Sequence, residues 1–217
     1  LPMGRVMTDH NNDMMAGVQT EIPEVHLPAQ MRVLPLRDLV AFPFLMMPLT
    51  IGRPKSVTLV DDALVKDRLV ALVTQKDGSV EDPSPDDLYS VGVGANIVRM
   101  LRMPDDTLRV LTRGIARVRL KRFVQLEPFM IAEVEQLKEK TEDNLEVQAL
   151  KRNLSEQFQK LVSQVSSLPD EIQVVASHLE DPGQLADLVA SSINIRVEDR
   201  QRVLEELDVR TRMMLVS

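Results

Sequence analysis

The sequence predicts an α+β protein, in which a mostly antiparallel β domain with one short helix precedes an α-helical bundle. Up to about residue 137, short apolar segments alternate with turn residues, which is typical of strands in an antiparallel sheet. After Glu139, apolar residues recur at gaps of three and four, which indicates amphipathic helices. This change of period predicts a β domain over residues 29–137 and a helical subdomain over residues 138–217.

The β domain is expected to begin after a mobile leader. Residues 1–28 are polar, lack a period and contain Asn, Asp, Gly and Pro, all of which discourage regular structure. Met31–Leu36 is then an extended apolar segment, and Phe42–Ile51 is a second one whose prolines predict an edge strand or a kinked strand. In a regular strand, residues 42, 44 and 46 would share one face.

The next elements are a short helix and two strands. The helix is expected after Gly52, and Leu69–Thr74 is a continuous apolar run, typical of a strand buried on both faces. Val91–Met103 is a longer strand, in which Gly92 and Gly94 predict a bulge or a bend.

The last part of the predicted sheet contains three segments. Leu108–Leu111 pairs back across a turn with the strand before it, and Gly114 begins a further turn. Ile115–Val124 then alternates, which would direct Arg117 and its basic neighbours outward. Phe129–Gln136 is the final strand.

Five helices are predicted in the second half. An apolar stripe over Val147–Leu168 indicates a long helix, and a second helix runs from Asp170 to about Leu179. Asp181–Pro182 is a strong start signal, because Asp caps a helix and Pro suits its first position. A fourth helix begins near Val197, and Asp208 is expected to cap the last one.

Residue types and motifs argue against most catalytic chemistries. The chain has no Cys, which excludes disulfides, thiolate zinc sites and Cys nucleophiles and fits a reducing compartment such as the cytosol. His10, His26 and His178 lie far apart, without metal-ligand spacing. Neither a GxxxxGK[ST] phosphate loop nor a GxSxG motif is present. We therefore expect no catalytic residue, cofactor site or metal site in this chain.

A basic stripe is the first candidate surface. The net charge of −7 disfavours general binding to nucleic acids or acidic membranes. Eight basic residues nevertheless lie between Ile97 and Arg122. An anion or nucleic-acid surface would use Arg117, Arg119 and Arg122, although no aromatic residues interleave to stack bases. The alternative is a charged outer sheet face that pairs with the acidic helices.

An apolar cluster is the second candidate surface. Phe42, Phe44, Met46 and Met47 place apolar side chains on both faces of one predicted strand, and only one face can enter the core. The other face is either covered or exposed, and exposed apolar patches usually mark interaction surfaces. The predicted docking contacts are Phe44, Met46, Met100, Leu101 and Met103.

An ordered series of short segments spans about residues 31–216. It comprises Leu34–Asp38, Phe42–Pro43, Pro48–Leu49, Gly52–Arg53, Val73–Asp77, Pro85–Gly92, Gly114–Arg117, Ala186–Ala190 and Gln201–Glu205. Together these segments resemble the N-terminal domain of Lon-type ATP-dependent serine proteases, which are AAA+ proteins. No single segment is decisive, but an ordered series of this length is specific.

The resemblance implies a PUA-like β domain followed by a helical bundle. It also implies a non-catalytic role, in which the chain recognises unfolded, damaged or regulatory proteins for a hexameric cytoplasmic protease and binds no membrane. ATP, magnesium and the Ser-Lys dyad would belong to parts of that family that match nothing here. The apolar last helix has no Gly or Pro stop, so the natural chain is expected to continue towards the ATPase. The rival hypothesis is a PUA-like nucleic-acid-binding module that uses the arginine-rich strands.

Overall fold

The computed structural model describes residues 26–164 and 170–217, and these residues form an α+β fold. The strands are β1 (Gln30–Leu36), β2 (Met46–Ile51), β3 (Leu69–Thr74), β4 (Val91–Arg102), β5 (Leu108–Gln125) and β6 (Ile131–Gln136). The helices are α1 (Pro54–Leu64), α2 (Leu145–Gln164), α3 (Asp170–His178), α4 (Pro182–Ser192), α5 (Val197–Glu205) and α6 (Val209–Leu215). The predicted fold class is confirmed. Most of the predicted leader, and the predicted C-terminal end of the long helix, lie outside the described residues.

The long strand β5 organises the sheet. One side of β5 pairs with β4, while the other pairs with β2 over residues 108–113 and with β6 over residues 118–125. Pairings of β4 with β3, β3 with β1 and β1 with β6 complete a closed ring of strands. Only the β1–β3 pair is parallel among the pairs of named strands. Strand β2 therefore attaches to the outside of a barrel.

The continuity of β5 corrects the predicted turn at Gly114. Strand β5 runs through this residue without a break. Gly114 is needed instead for a close contact with another segment of the chain. A Cβ atom at position 114 would lie 2.3 Å from the carbonyl oxygen of Phe42 and 3.0 Å from the Cα of Pro43. The glycine thus allows the backbone before β2 to lie directly against β5.

Strand β3 is buried on both faces, as predicted. Val70 and Leu72 belong to a large apolar cluster that includes Leu59 of α1 and continues into the helical half. Ala71 and Val73 point the other way, into a smaller cluster. A bulge does occur in β4, but at Val98 and not at the predicted glycines, because Ile97 pairs with Thr112 and Arg99 with Leu111. Opposite Gly94, the extra residue is Ile115 of β5.

Two helix starts confirm their predicted caps. The carboxylate of Asp181 accepts the amide of Gln184 at 2.9 Å, and the carboxylate of Asp208 accepts the amide of Thr211 at 2.8 Å. Each carboxylate satisfies an amide that has no partner within its helix. No helix in the described part of the chain is both long enough and apolar enough to cross a membrane.

A buried charged cluster joins the sheet to the helices. Arg117 of β5 is 2% exposed and binds Asp187 of α4 at 2.7 Å, Glu139 at 2.5 Å and the carbonyl of Leu204 at 2.7 Å. Arg212 of α6 adds a second contact to Glu139, at 3.0 Å. Burial raises the pKa of Asp187, and the neighbouring Arg117 opposes this rise. The prediction that Arg117 faces outward onto an anion-binding surface is wrong, because the helices cover β5 at this point.

Candidate functional site

The backbone that enters β2 forms a bulge with Phe44 at its first position. The amide of Phe44 donates to the carbonyl of Gly114 at 3.0 Å, and the amide of Gly114 donates to the carbonyl of Leu45 at 3.0 Å. Phe44 has a φ of 64°, whereas glycine normally occupies this position of such a bulge. The predicted strand from Phe42 is therefore wrong in its first part. The strand begins at Met46, and Phe42 is buried while Phe44 is exposed.

Phe44 combines two unfavourable features. Its left-handed backbone costs roughly 1–2 kcal/mol for a residue with a side chain. Its side chain is also 50% exposed, so burial of the phenyl ring returns only part of this free energy. A residue held in an unfavourable backbone conformation with its apolar side chain half exposed is a candidate for function.

Strand β2 shares its exposed face with β5 and β4. The pairing register aligns three rows of side chains across this face: Met46 with Arg113 and Asn96, Pro48 with Leu111 and Arg99, and Thr50 with Arg109 and Leu101. We call these nine residues, with Phe44 at the entrance to β2, the β2 face. It is a mixed surface of apolar and cationic side chains on a hydrogen-bonded sheet.

This geometry places some of the predicted docking contacts on the β2 face and others away from it. Met46 and Leu101 are 49% and 58% exposed, and both lie on the β2 face. They stand at opposite corners, roughly 14 Å apart along the strand direction. Met100 pairs with the buried Val110 and packs against the core, so it does not share the face of its neighbour Leu101. Met103 lies just beyond β4 and is partly buried.

The charged side chains separate into unpaired and paired groups. On the β2 face, Arg99, Arg109 and Arg113 form no ion pair with any residue in 26–164 or 170–217. Further along β5, Arg122 binds Glu133 at 2.7 Å, and this contact raises the pKa of Arg122 and lowers that of Glu133. Lys121 and Arg119 both approach Glu135, at 2.6 and 3.9 Å, and the hydrogen bond from Lys121 lowers the pKa of Glu135. The predicted anion surface at Arg119 and Arg122 is thus largely neutralised by β6.

Residues 26–164 and 170–217 contain no cluster of three or more His, Asp or Glu side chains arranged to hold a metal ion. The β2 face brings together three of the predicted docking contacts, Phe44, Met46 and Leu101, and is the candidate site.

Comparison with known families identifies the chain. A model of the ATP-dependent protease La (Lon) substrate-binding domain matches residues 30–217. The chain belongs to this family. It corresponds to the substrate-binding part of a Lon protease and not to the catalytic part. Neither the family model nor the relatives support the nucleic-acid alternative.

Whole Lon proteases are among the relatives. The chain is 42% identical to the Lon protease of Dictyoglomus thermophilum over 197 residues, which cover 91% of this chain and 24% of that protein. It is 38% identical to the Lon protease of Trichlorobacter lovleyi over 195 residues, which cover 89% and 24%. The chain therefore spans about a quarter of the length of these relatives.

Solved Lon domains share the fold. The N-terminal domain of a Mycobacterium avium complex Lon protease superposes with a TM-score of 0.72 at 19% identity, over 86% of this chain and 95% of that one. A Lon N-terminal domain protein from Xanthomonas campestris gives a TM-score of 0.61 at 16% identity, over 85% and 95%. At these identities the likeness concerns the fold alone.

Gly114 provides a test of how the bulge is held. We expect Gly114→Ala to lower the free energy of unfolding by about 1–3 kcal/mol, because the added methyl group would press on the carbonyl of Phe42. Urea unfolding followed by circular dichroism measures the change. Gly52→Ala is a suitable control, because its Cβ would find the Thr107 side chain at an ordinary 3.5 Å. Equal stability of the two variants would show that the close contact at Gly114 is unimportant.

Proposed function

We propose that this chain captures unfolded, damaged or degron-bearing proteins through the β2 face and presents them for ATP-dependent degradation. The observation that carries the proposal is Phe44, an aromatic residue held exposed in a backbone conformation that favours glycine. Unfolded proteins differ from folded ones mainly in their accessible apolar side chains, which an exposed aromatic ring can contact.

The arrangement of the β2 face supports weak binding at several points. Phe44 and Met46 form an apolar end, and the flexible, polarizable Met side chain adapts to different partners. Leu101 offers a second apolar contact at the far corner, two residues before the partly buried Met103. Arg113 lies beside Met46, Arg109 beside Leu101 and Arg99 in the row between them, and these cations favour segments that also carry acidic residues.

The remaining steps are assigned to the rest of a larger protein. We propose that the complete protein is a cytoplasmic, hexameric AAA+ enzyme, in which an ATPase that requires magnesium and a Ser-Lys peptidase lie outside this chain. The relatives support this view, because they are Lon proteases about four times as long as the matched part. The barrel with its attached strand supports a PUA-like description of the β domain.

The binding step can be tested with one protein in two states. The 217-residue chain is titrated into fluorescein-labelled lysozyme that has been reduced and carboxymethylated, so that it stays unfolded. We expect saturable binding in the micromolar range, read as fluorescence anisotropy, and no binding of native lysozyme carrying the same label. Equal binding of both forms, or of neither, would contradict substrate capture by this chain.

A further inference from the structure

The outer edge of β2 is an open edge of the sheet. Strand β2 pairs with β5 on one side, and no other strand of residues 26–164 or 170–217 pairs with it. The strands of the barrel, by contrast, each have neighbours on both sides. An unpaired edge presents main-chain amides and carbonyls that can pair with another extended chain.

The hydrogen bonds at the start of β2 show which residues face β5. Residues of an antiparallel pair alternate between those whose main-chain groups point to the partner strand and those whose groups point away. The amide of Gly114 donates to the carbonyl of Leu45 at 3.0 Å, and the hydroxyl of Thr112 donates to the carbonyl of Met47 at 3.0 Å. The odd-numbered residues of β2 therefore bond to β5.

The even-numbered residues face the open edge. Met46 and Thr50 each present an amide and a carbonyl there, while Pro48 presents only a carbonyl, since proline has no N–H. This position explains how β2 contains a proline and still pairs with β5 along its whole length. The edge thus keeps donors at both ends and acceptors throughout.

We propose that this edge takes up an extended segment of an unfolded polypeptide as an added β-strand. The inference rests on the function proposed above and specifies how the partner is held. Main-chain hydrogen bonds would supply binding that does not depend on the sequence of the partner, which suits a domain that receives many different proteins. The side chains of the added strand would lie beside Phe44 and Met46 on the β2 face.

The edge favours a foreign strand over a second copy of itself. In a symmetric pairing of two β2 strands, Pro48 would lie opposite Pro48, and that pair would contain no amide hydrogen at all. A foreign segment with an ordinary residue at this position donates to the Pro48 carbonyl. Charged side chains commonly protect an edge strand from pairing, but β2 carries none. Pro48 is therefore its main protection against self-association.

A backbone-specific probe tests the added strand. The probe is a fluorescein-labelled peptide of alternating valine and glutamate. The control peptide has the same sequence but carries N-methyl groups on two adjacent central amides. Because adjacent amides point to opposite edges of an extended peptide, neither edge of the control peptide can donate a hydrogen bond there. We expect the 217-residue chain to bind the methylated peptide about tenfold more weakly, the effect of roughly one lost hydrogen bond. Failure of the unmethylated peptide to bind, or equal binding of both, would overturn the inference.

A substitution in the edge provides the matching test on the protein. Thr50→Pro removes an amide that points outward, and we expect it to weaken peptide binding by about tenfold. Thr50→Val is the matched comparison, because it changes the same side chain but keeps the amide, so it should bind the peptide about tenfold more tightly than Thr50→Pro. Circular dichroism checks that both variants fold.

Hydrogen exchange keeps the inference testable if Thr50→Pro does not fold. In the unchanged chain, peptide binding should slow exchange at the amides of Met46 and Thr50, whereas Met47 and Leu49 should be protected already. Peptide binding without new protection at Met46 and Thr50 would overturn the edge model. If unfolded lysozyme still binds in that case, the proposed function stands without the edge model. If unfolded lysozyme does not bind, the proposed function has failed as well. Protection of both amides in a peptide-free dimer, detected by sedimentation, would assign the edge to self-association instead.

Discussion

Arg117→Ala is expected to lower the free energy of unfolding by about 3–5 kcal/mol, because it leaves a buried carboxylate without its main partner. Asp187 is 1% exposed, and Arg117 makes two of its contacts, at 2.7 and 2.9 Å. Arg212 approaches the same carboxylate only to 3.6 Å. The substitution also removes the donor to the Leu204 carbonyl, so the sheet loses a direct link to α5.

Urea unfolding of the 217-residue chain measures this loss. Arg122→Ala is the matched control, since Arg122 lies on the same strand and also binds a glutamate but is exposed to solvent. Its unfolding midpoint should stay close to that of the unchanged chain. The double variant Arg117→Met with Asp187→Leu should recover much of the loss, because it removes both buried charges together and leaves Arg212 with Glu139. A mild effect of Arg117→Ala would mean that the cluster does not hold the two halves together.

Phe44→Gly is expected to weaken the binding of unfolded lysozyme by at least about tenfold, the usual effect of removing an aromatic side chain that supplies much of the binding free energy. The same change should alter the free energy of unfolding by no more than about 1 kcal/mol. Glycine relieves the strained backbone at φ 64°, while its greater freedom in the unfolded chain offsets part of this gain. Binding and stability would thus respond differently to one substitution.

Fluorescence anisotropy and urea unfolding on the same samples provide both measurements. Val175→Ala is the control, because Val175 is exposed to the same degree, 50%, but lies on α3 in the helical half. Its affinity for unfolded lysozyme should not change. Equal losses of affinity in the two variants would show that any exposed apolar side chain contributes, and the special role of Phe44 would then be wrong.

The sequence predicts those features that depend on near neighbours. The caps at Asp181 and Asp208 each need only a carboxylate and an amide three residues later. The burial of β3 follows from an uninterrupted apolar run. Such signals lie within one element, so they can be recognised without knowing what packs against it.

Arg117 and Phe44 depend instead on contacts between distant parts of the chain. Alternation places Arg117 on the outer side of its strand, but the carboxylate that covers it lies 70 residues later. One signal was present, since Asp187 interrupts the apolar helix α4 and a buried acid requires a partner. For Phe44, no nearby residue indicates a left-handed backbone, because the bulge is fixed by its bonds to Gly114 on another strand.

Methyl NMR of the methionines tests capture by the β2 face most directly. Unfolded lysozyme is titrated into the 217-residue chain, and the ε-methyl signals of Met46 and Met100 are followed. Met46 is half exposed on the β2 face, whereas Met100 packs against the core, so one chain supplies both probe and control. We expect the Met46 signal to shift or broaden while the Met100 signal stays in place. An unchanged Met46 signal in a chain saturated with unfolded lysozyme would contradict the account.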